Sequence, residues 1–216
     1  MTWNVKAFEL QFDGVVRVIG NQKPDVVGLQ EVCVAQLEDI RSALRERYKL
    51  RYRMQPGSVF RTDKCPSGTA YGEGMLSKRK MTRFSQTKFP VQEGKEPRQM
   101  MAVTIKLGRR SVRVFNTHIG LGREIEPQIK TVARITRRHR RALVLGDFNA
   151  DPTRPEIAPM FREFNEDRNG PWTFNYQGNL VKIDYVFRRG IKFIRQRAYD
   201  TPSSDHRPFV VDVRRP

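Results

Sequence analysis

Cysteine and histidine are scarce in this chain of 216 residues, with two of the first and three of the second. So few soft donors make a poor zinc site. Cys33 and Cys65 leave two states open: free buried thiols, or a bridge closing a loop of about 32 residues and contributing about 3–4 kcal/mol. Nothing in the sequence shows that the two meet. No apolar run approaches the roughly 18 residues of a membrane-spanning helix. No signal-peptide pattern precedes "MTWNV", although a mature chain whose leader had been replaced by Met would read the same way. Repeats, low-complexity tracts and linkers are also missing. A single domain over residues 1–216, long enough for a real core, is the simplest organisation.

Acidic residues are in short supply too. Asp and Glu number 23 against 41 Lys and Arg, a net charge of +18. Such an excess concentrates polyanions by long-range attraction. Nucleic acid is the first partner this suggests and an anionic membrane the second. Solubility alone would not require so lopsided a balance.

What the chain does have is short apolar strands: "MTWNV", "DVVGLQEV", "YGEGMLS", "QMMAVTIKL", "VRVFNTHI", "ALVLGDF", "VKIDYVF" and "FVVDV". Several are apolar throughout, as strands buried on both faces are. Helical patterns lie between them over Phe8–Gly20, Val34–Arg47 and Ile125–Arg138. After Asp151, prolines at 152, 155 and 159 leave room only for short helix and loop. From Tyr71 to His118 the strands have no long helices between them, which predicts antiparallel pairing there. Together these features predict α/β layers, with two mixed sheets packed face to face and helices outside.

Polar groups recur at the strand ends. Asn4 follows "TW", Glu31 follows "VVGLQ", His118 closes "VFNTH", and Asp147 and Asn149 stand in "RALVLGDFNADP". Asp184 lies inside "VKIDYVF", and Asp205-His206 opens the last strand. In an open α/β sheet such ends line one crevice. Each residue also has a plainer reading. Asn4 and Asn149 suit turn caps, Glu31 suits a helix N-terminus, and His118 could be a satisfied structural histidine. Asp151 before Pro152 is read as a turn, and His139 in "TRRHRR" as a solvated helix residue. Asp184 resists the plain reading, because a carboxylate in a buried strand is costly unless paired.

The ordered set "TWNV", "DVVGLQEV", "NTH", "GDFNADP", "IDYVF" and "SSDHRP" resembles the endonuclease/exonuclease/phosphatase superfamily, the deoxyribonuclease I-like enzymes. The resemblance runs from Thr2 almost to the C-terminus. It implies a four-layered α/β sandwich and metal-dependent cleavage of phosphoester bonds. It implies that Glu31 binds the metal, with Asn4 beside it and Asp205 adding an acidic contact. By the same resemblance Asp147 and Asn149 orient the attacking water and the phosphate. His206 is the catalytic histidine, Asp184 orients it, and His118 contacts the scissile phosphate. Glu73 is the candidate partner of His118, and Arg98 and Tyr71 are substrate-binding candidates.

Elementary chemistry agrees. Mg²⁺, for which Mn²⁺ or Ca²⁺ can stand in, prefers oxygen ligands and keeps much of its water. A histidine held by a carboxylate suits proton transfer near neutral pH. "ADPTRPEIAP" replaces the "VAH" of abasic-site repair enzymes, and the tryptophan- and cysteine-containing signature of inositol polyphosphate 5-phosphatases is missing, as is the apolar hairpin of sphingomyelinases. "RSALRERYKLRYR" (Arg41 to Arg53) offers phosphate contacts with Tyr48 and Tyr52 for stacking, and Arg134 to Arg141 is a second cationic face. Either run alone could be a solvated helix. The expectation is a monomeric DNA endonuclease of low sequence specificity. The alternatives are a phosphomonoesterase for a small or lipid-linked phosphate, or a basic polyanion-binding module with little catalysis. Secreted bacterial members of the family often carry cysteines near positions 33 and 65, which implies a Cys33–Cys65 disulfide and secretion, the cytoplasm being the alternative.

Overall fold

The computed structural model describes residues 1–9, 11–61, 65, 68–93 and 95–214. In chain order its strands and helices are β1 (Thr2–Asn4), α1 (Phe12–Gln22), β2 (Val26–Cys33), α2 (Val34–Tyr48), β3 (Arg53–Arg61), β4 (Ala70–Ser77), β5 (Thr82–Lys88), β6 (Gln99–Leu107), β7 (Arg110–His118), α3 (Ile125–Thr136), β8 (Ala142–Asp147), α4 (Ala158–Glu163), β9 (Phe174–Tyr176), β10 (Asn179–Val181), β11 (Asp184–Arg189), β12 (Phe193–Ala198) and β13 (Phe209–Val213). One sheet runs β12-β13-β1-β2-β4-β3 and the other β11-β8-β7-β6-β5, while β9 and β10 form a separate hairpin. Both large sheets are mixed. β1–β2 and β7–β8 are parallel, whereas β2–β4, β3–β4, β5–β6 and β6–β7 are antiparallel, as expected for the middle of the chain.

Three apolar layers hold this sandwich together. Val15, Ile19, Leu37, Ile40 and Leu44 of α1 and α2 cover Trp3, Val27 and Leu29 on one outer face. Ile129 and Val132 of α3 and Met160 of α4 cover Phe115, Val144 and Phe187 on the other. Between the sheets lie Met75, Met101, Val103, Val114, Leu145, Val186 and Phe209. Strands packed on both faces read as unbroken apolar runs, which is why β8 is buried from end to end. A polar pin crosses this inner layer. Asn116 of β7 donates to the carbonyls of Leu29 (2.9 Å) and Gly74 (3.1 Å), and accepts from Gln30 Nε2 at 2.6 Å. Gly28 gives it room, since a Cβ there would meet Asn116 Oδ1 at 2.7 Å. The pin fixes how β7 sits over β2, one residue from Glu31 and two from His118.

Some expectations need correcting. The helix expected over Phe8–Gly20 is a 3-10 turn at Ala7–Glu9 followed by α1, and Leu10 lies outside the described residues. β5 went unread because most of its side chains face water and carry polar or charged groups, and β12 because its apolar Phe193 and Ile194 are exposed neighbours followed by Arg195, Gln196 and Arg197, with no alternation of apolar and polar positions. Tyr52, expected to stack on bases, is buried and donates its hydroxyl to Pro24 O at 2.6 Å. Tyr48 is partly buried against α1, where its ring crowds Gly20. His139 follows α3 but is partly buried, its ring 5.4 Å from that of Phe115.

Candidate active site

Every polar strand-end residue named above reaches one end of the sandwich. Parallel strands β1, β2, β7 and β8 end there. The antiparallel partners β11 and β13 begin there, so Asp184 pairs in register with Asp147, and Asp147 with His118. The local backbone departs from regular strand to aim these groups. β2 slips register between Leu29 and Val32, and Glu31 in that bulge has φ 51°. Asn149 has φ 49° and donates its amide to Asp147 Oδ1 at 3.0 Å. Left-handed conformations are disfavoured for side chains of this size and cluster at functional sites. Gly146 is required just before Asp147, because a Cβ there would lie 2.3 Å from Thr117 O.

Asp147 is the hub. Its Oδ2 accepts from Asn4 Nδ2 at 3.1 Å and lies 3.3 Å from His118 Nε2 and 3.6 Å from His206 Nε2. Burial raises its carboxyl pKa, His206 pulls it down and Asp184 adds to the rise, for a net value of about 7. His206 Nδ1 meets Asp184 Oδ2 at 2.9 Å. Burial opposes charge on that ring, but Asp184 and Asp147 outweigh it and push the pKa up to about 9. Asp184 is itself fixed by Thr173, whose hydroxyl accepts from the amides of Ile183 and Asp184 at 3.1 and 3.0 Å. Phe174 closes the outer side, its ring 4.5 Å from the imidazole, and Trp3 Nε1 donates to His206 O at 2.9 Å. The sequence carried no visible signal for Thr173 or Phe174, which acquire their positions only through the fold.

His118 is oriented from the far side by a residue expected elsewhere. Arg98 Nη1 lies 2.6 Å from His118 Nδ1 and 2.7 Å from Glu96 Oε1. A guanidinium only donates, so Nδ1 must be bare and the ring proton sits on Nε2. Asn149 Nδ2, 3.3 Å from that same Nε2, therefore cannot donate to it, and it donates instead to Ile119 O at 2.8 Å. Burial, then Arg98 and His206, hold the His118 pKa well below its ordinary range. Glu73, expected to pair with His118, accepts instead from Gln99 Nε2 at 2.8 Å, and burial pushes its carboxyl pKa up to about 8. Tyr71 packs with Ala7 and the two cysteines, and burial, together with the charges of Glu31 and Glu96, raises its hydroxyl pKa.

Glu31 Oε1 accepts from Asn4 Nδ2 at 2.8 Å and lies 4.0 Å from His118 Nε2. Among the described residues no Lys or Arg pairs with Glu31 or Asp147. Two carboxylates converging on one amide without a fixed cation are a donor set that fits a hard divalent metal. Asp147, Asp184 and His206 also bring ligand atoms within 4.8 Å of one another. That trio suits proton transfer better than ligation, because His206 Nδ1 is committed to Asp184. Asp205 stands apart from the hub, its carboxylate 3.4 Å from Lys6 Nζ and 3.3 Å from Ser204 Oγ. Cys33 and Cys65 form a disulfide.

The sequence model of the endonuclease/exonuclease/phosphatase family matches residues 1–206. No curated protein matches the chain. Among solved structures, an endonuclease/exonuclease/phosphatase family protein from Leptotrichia buccalis superposes with a TM-score of 0.80 at 16% identity, over 99% of this chain and 98% of that one. D. rerio TDP2 complexed with a single-strand DNA product gives 0.75 at 15% identity, over 99% and 97%. The mannosyl-6-phosphatase of Bacteroides thetaiotaomicron gives 0.74 at 17%, over 98% and 97%. At such identities the likeness is one of fold.

Proposed function

Since the chain belongs to the endonuclease/exonuclease/phosphatase family, we propose that it is a divalent-metal-dependent phosphodiesterase, and specifically a DNA endonuclease of low sequence specificity. The observation that carries the chemistry is the Asp147 carboxylate set between the His206–Asp184 pair and neutral His118, beside Glu31 and Asn4. Asp147 and Asn149 orient the attacking water and the phosphate. His206, its Nδ1 held by Asp184, presents a protonated Nε2 to the reacting oxygens. His118 offers its Nε2–H to a phosphoryl oxygen. Glu31 would hold a divalent cation, Mg²⁺ first, with Asn4 joining if its Oδ1 exchanges the Lys6 amide for the ion, and Asp205 joining if it leaves the Lys6 side chain. Such a cation supplies Lewis-acid stabilisation of the developing oxygen charge.

The charge of +18 favours a polyanionic substrate over a small monoester. The family holds hydrolases of both phosphodiesters and phosphomonoesters, and similar folds serve a DNA product complex and a mannosyl-6-phosphatase. Phosphate contacts carry no base sequence, hence the low specificity. The Cys33–Cys65 bridge supports a secreted enzyme in an oxidising compartment. The test is a digestion panel of plasmid, linear duplex, single strands, RNA and phosphomonoesters, each with Mg²⁺, Mn²⁺ and Ca²⁺. Plasmid nicking that is lost in chelator is expected. No cleavage under any metal would overturn the reading, and phosphate release without polymer cleavage would replace it with a monoesterase. Glu31→Ala and His206→Ala should retain DNA binding while turnover drops by about 10²–10⁴.

A further inference from the structure

The catalytic groups sit at the C-terminal ends of β7 and β8. The opposite ends of the same strands carry a second concentration of charge. Arg113 pairs with Ala142 there, five residues before the His118–Asp147 pair. At about 3.3 Å per residue this is roughly 17 Å along the strand. An open cavity of about 390 Å³ is lined by Arg83, Arg113, Arg138, Arg140 and Arg141, with His139 and two hydroxyls. A neighbouring cavity of about 460 Å³ shares Arg83 and adds Lys80 and Lys106. No carboxylate lines either one among the described residues.

Among the described residues Arg113 has no carboxylate partner, although its guanidinium lies 5.7 Å from the centre of the Phe115 ring. Its partly buried guanidinium donates to Arg83 O, to Thr104 Oγ1 at 3.2 Å and to Ser85 Oγ at 2.5 Å, all uncharged acceptors. Burial, with Arg83 beside it, lowers its pKa. A cation held without a counter-charge costs free energy that an incoming anion returns. Arg83 is placed by a bulge, where the β5–β6 register slips between Thr82 and Ser85 and Arg83 takes φ 52°. A helix C-terminus attracts cations, and that explains basic residues just after α3. It does not explain Arg83, Lys106 and Arg113, which come from three different strands. Among the described residues the lining also presents no exposed large apolar side chain of the kind that anchors in lipid.

We propose that this furrow is a second, non-catalytic phosphate-binding surface that engages the phosphodiester backbone of a nucleic acid away from the scissile bond. It deepens the nuclease reading and takes its functional meaning from it. The test measures binding of a labelled short DNA duplex to the full chain in chelator, by fluorescence anisotropy over a range of salt. The variants are Arg138→Gln/Arg140→Gln, both at exposed positions, and separately Arg113→Gln, with thermal unfolding as the check on folding. The expected result for the exposed double variant is about tenfold weaker duplex binding and a salt slope smaller by about one to two units. Unchanged duplex affinity and slope would overturn the proposal. So would a loss confined to tripolyphosphate, or confined to phosphatidylserine vesicles, titrated in parallel. Failure of the wild type to cleave DNA with any metal would sink the nuclease reading alone, since the chelator titration needs no turnover.

Discussion

Arg98 reaches His118 Nδ1 at 2.6 Å, and that contact decides which ring nitrogen carries the proton. Arg98→Gln removes a charge-assisted hydrogen bond worth about 1.5–3 kcal/mol, so kcat should fall roughly ten- to hundredfold. The same change removes a repelling charge, so His118 should protonate more easily and the acid limb of the kcat–pH profile should move to higher pH. A purely structural role would lower kcat without moving the limb. Glu73 gives a stability test. Its native carboxyl titrates at about 8, against an ordinary value of 4.5. Between those values the native state holds a proton that the unfolded chain has released. The contribution is therefore complete below pH about 4.5 and is lost as pH rises through about 8. Glu73→Gln mimics the neutral acid and should flatten this loss, with a higher unfolding midpoint than wild type above pH about 8. Equal pH dependence in the two proteins would refute the assignment.

At the level of elements, the Cys33–Cys65 bridge ties the junction of β2 and α2 to the segment before β4. Gln36 at the start of α2 accepts from Cys33 N at 3.0 Å and donates to Ala7 O at 2.8 Å, joining this junction to the turn after β1. Glu31 is two residues from the bridge and Asn4 is three from that turn, so the metal-ligand candidates share one support. Cys65→Ser opens a loop of 32 residues. It should cost about 3–4 kcal/mol, or roughly 10 °C in the unfolding midpoint by calorimetry. Reductant should lower the wild type similarly and leave the variant unmoved. The element pattern was legible wherever strands are buried on both faces, as in β8 and β11. It was illegible in β5, whose polar side chains mostly face water, and in the β9–β10 hairpin, whose strands are three residues each. Edge strands show no apolar alternation to read.

Across the whole molecule, the net charge of +18 sets a salt dependence that no single contact can supply. If about six phosphates are contacted, duplex affinity in chelator should fall about a thousandfold between 50 and 200 mM salt. A flat salt response would contradict a backbone-binding surface. The charge is also unevenly placed. The candidate catalytic end gathers Glu31, Asp147 and Asp184, while the far ends of β7 and β8 gather arginines with no carboxylate among the described residues of the lining. An acidic corner that needs a metal and a basic furrow that needs an anion are complementary parts of one nucleic-acid surface in the reading proposed here.

The sequence by itself determined the two mixed sheets, the family and the residues at the strand ends. Burial on two faces leaves an apolar signature, and motifs such as "GDFN" and "SSDH" are local in the chain. Only the tertiary structure decided the pairings. It put Arg98, not Glu73, against His118, moved Asp205 toward Lys6, buried Tyr52 and drew Arg83 and Arg113 together. Those partners are separated by tens of residues, or meet only through a bulge, and the tautomer of a histidine or the isolation of a charge depends on distances that no local pattern encodes.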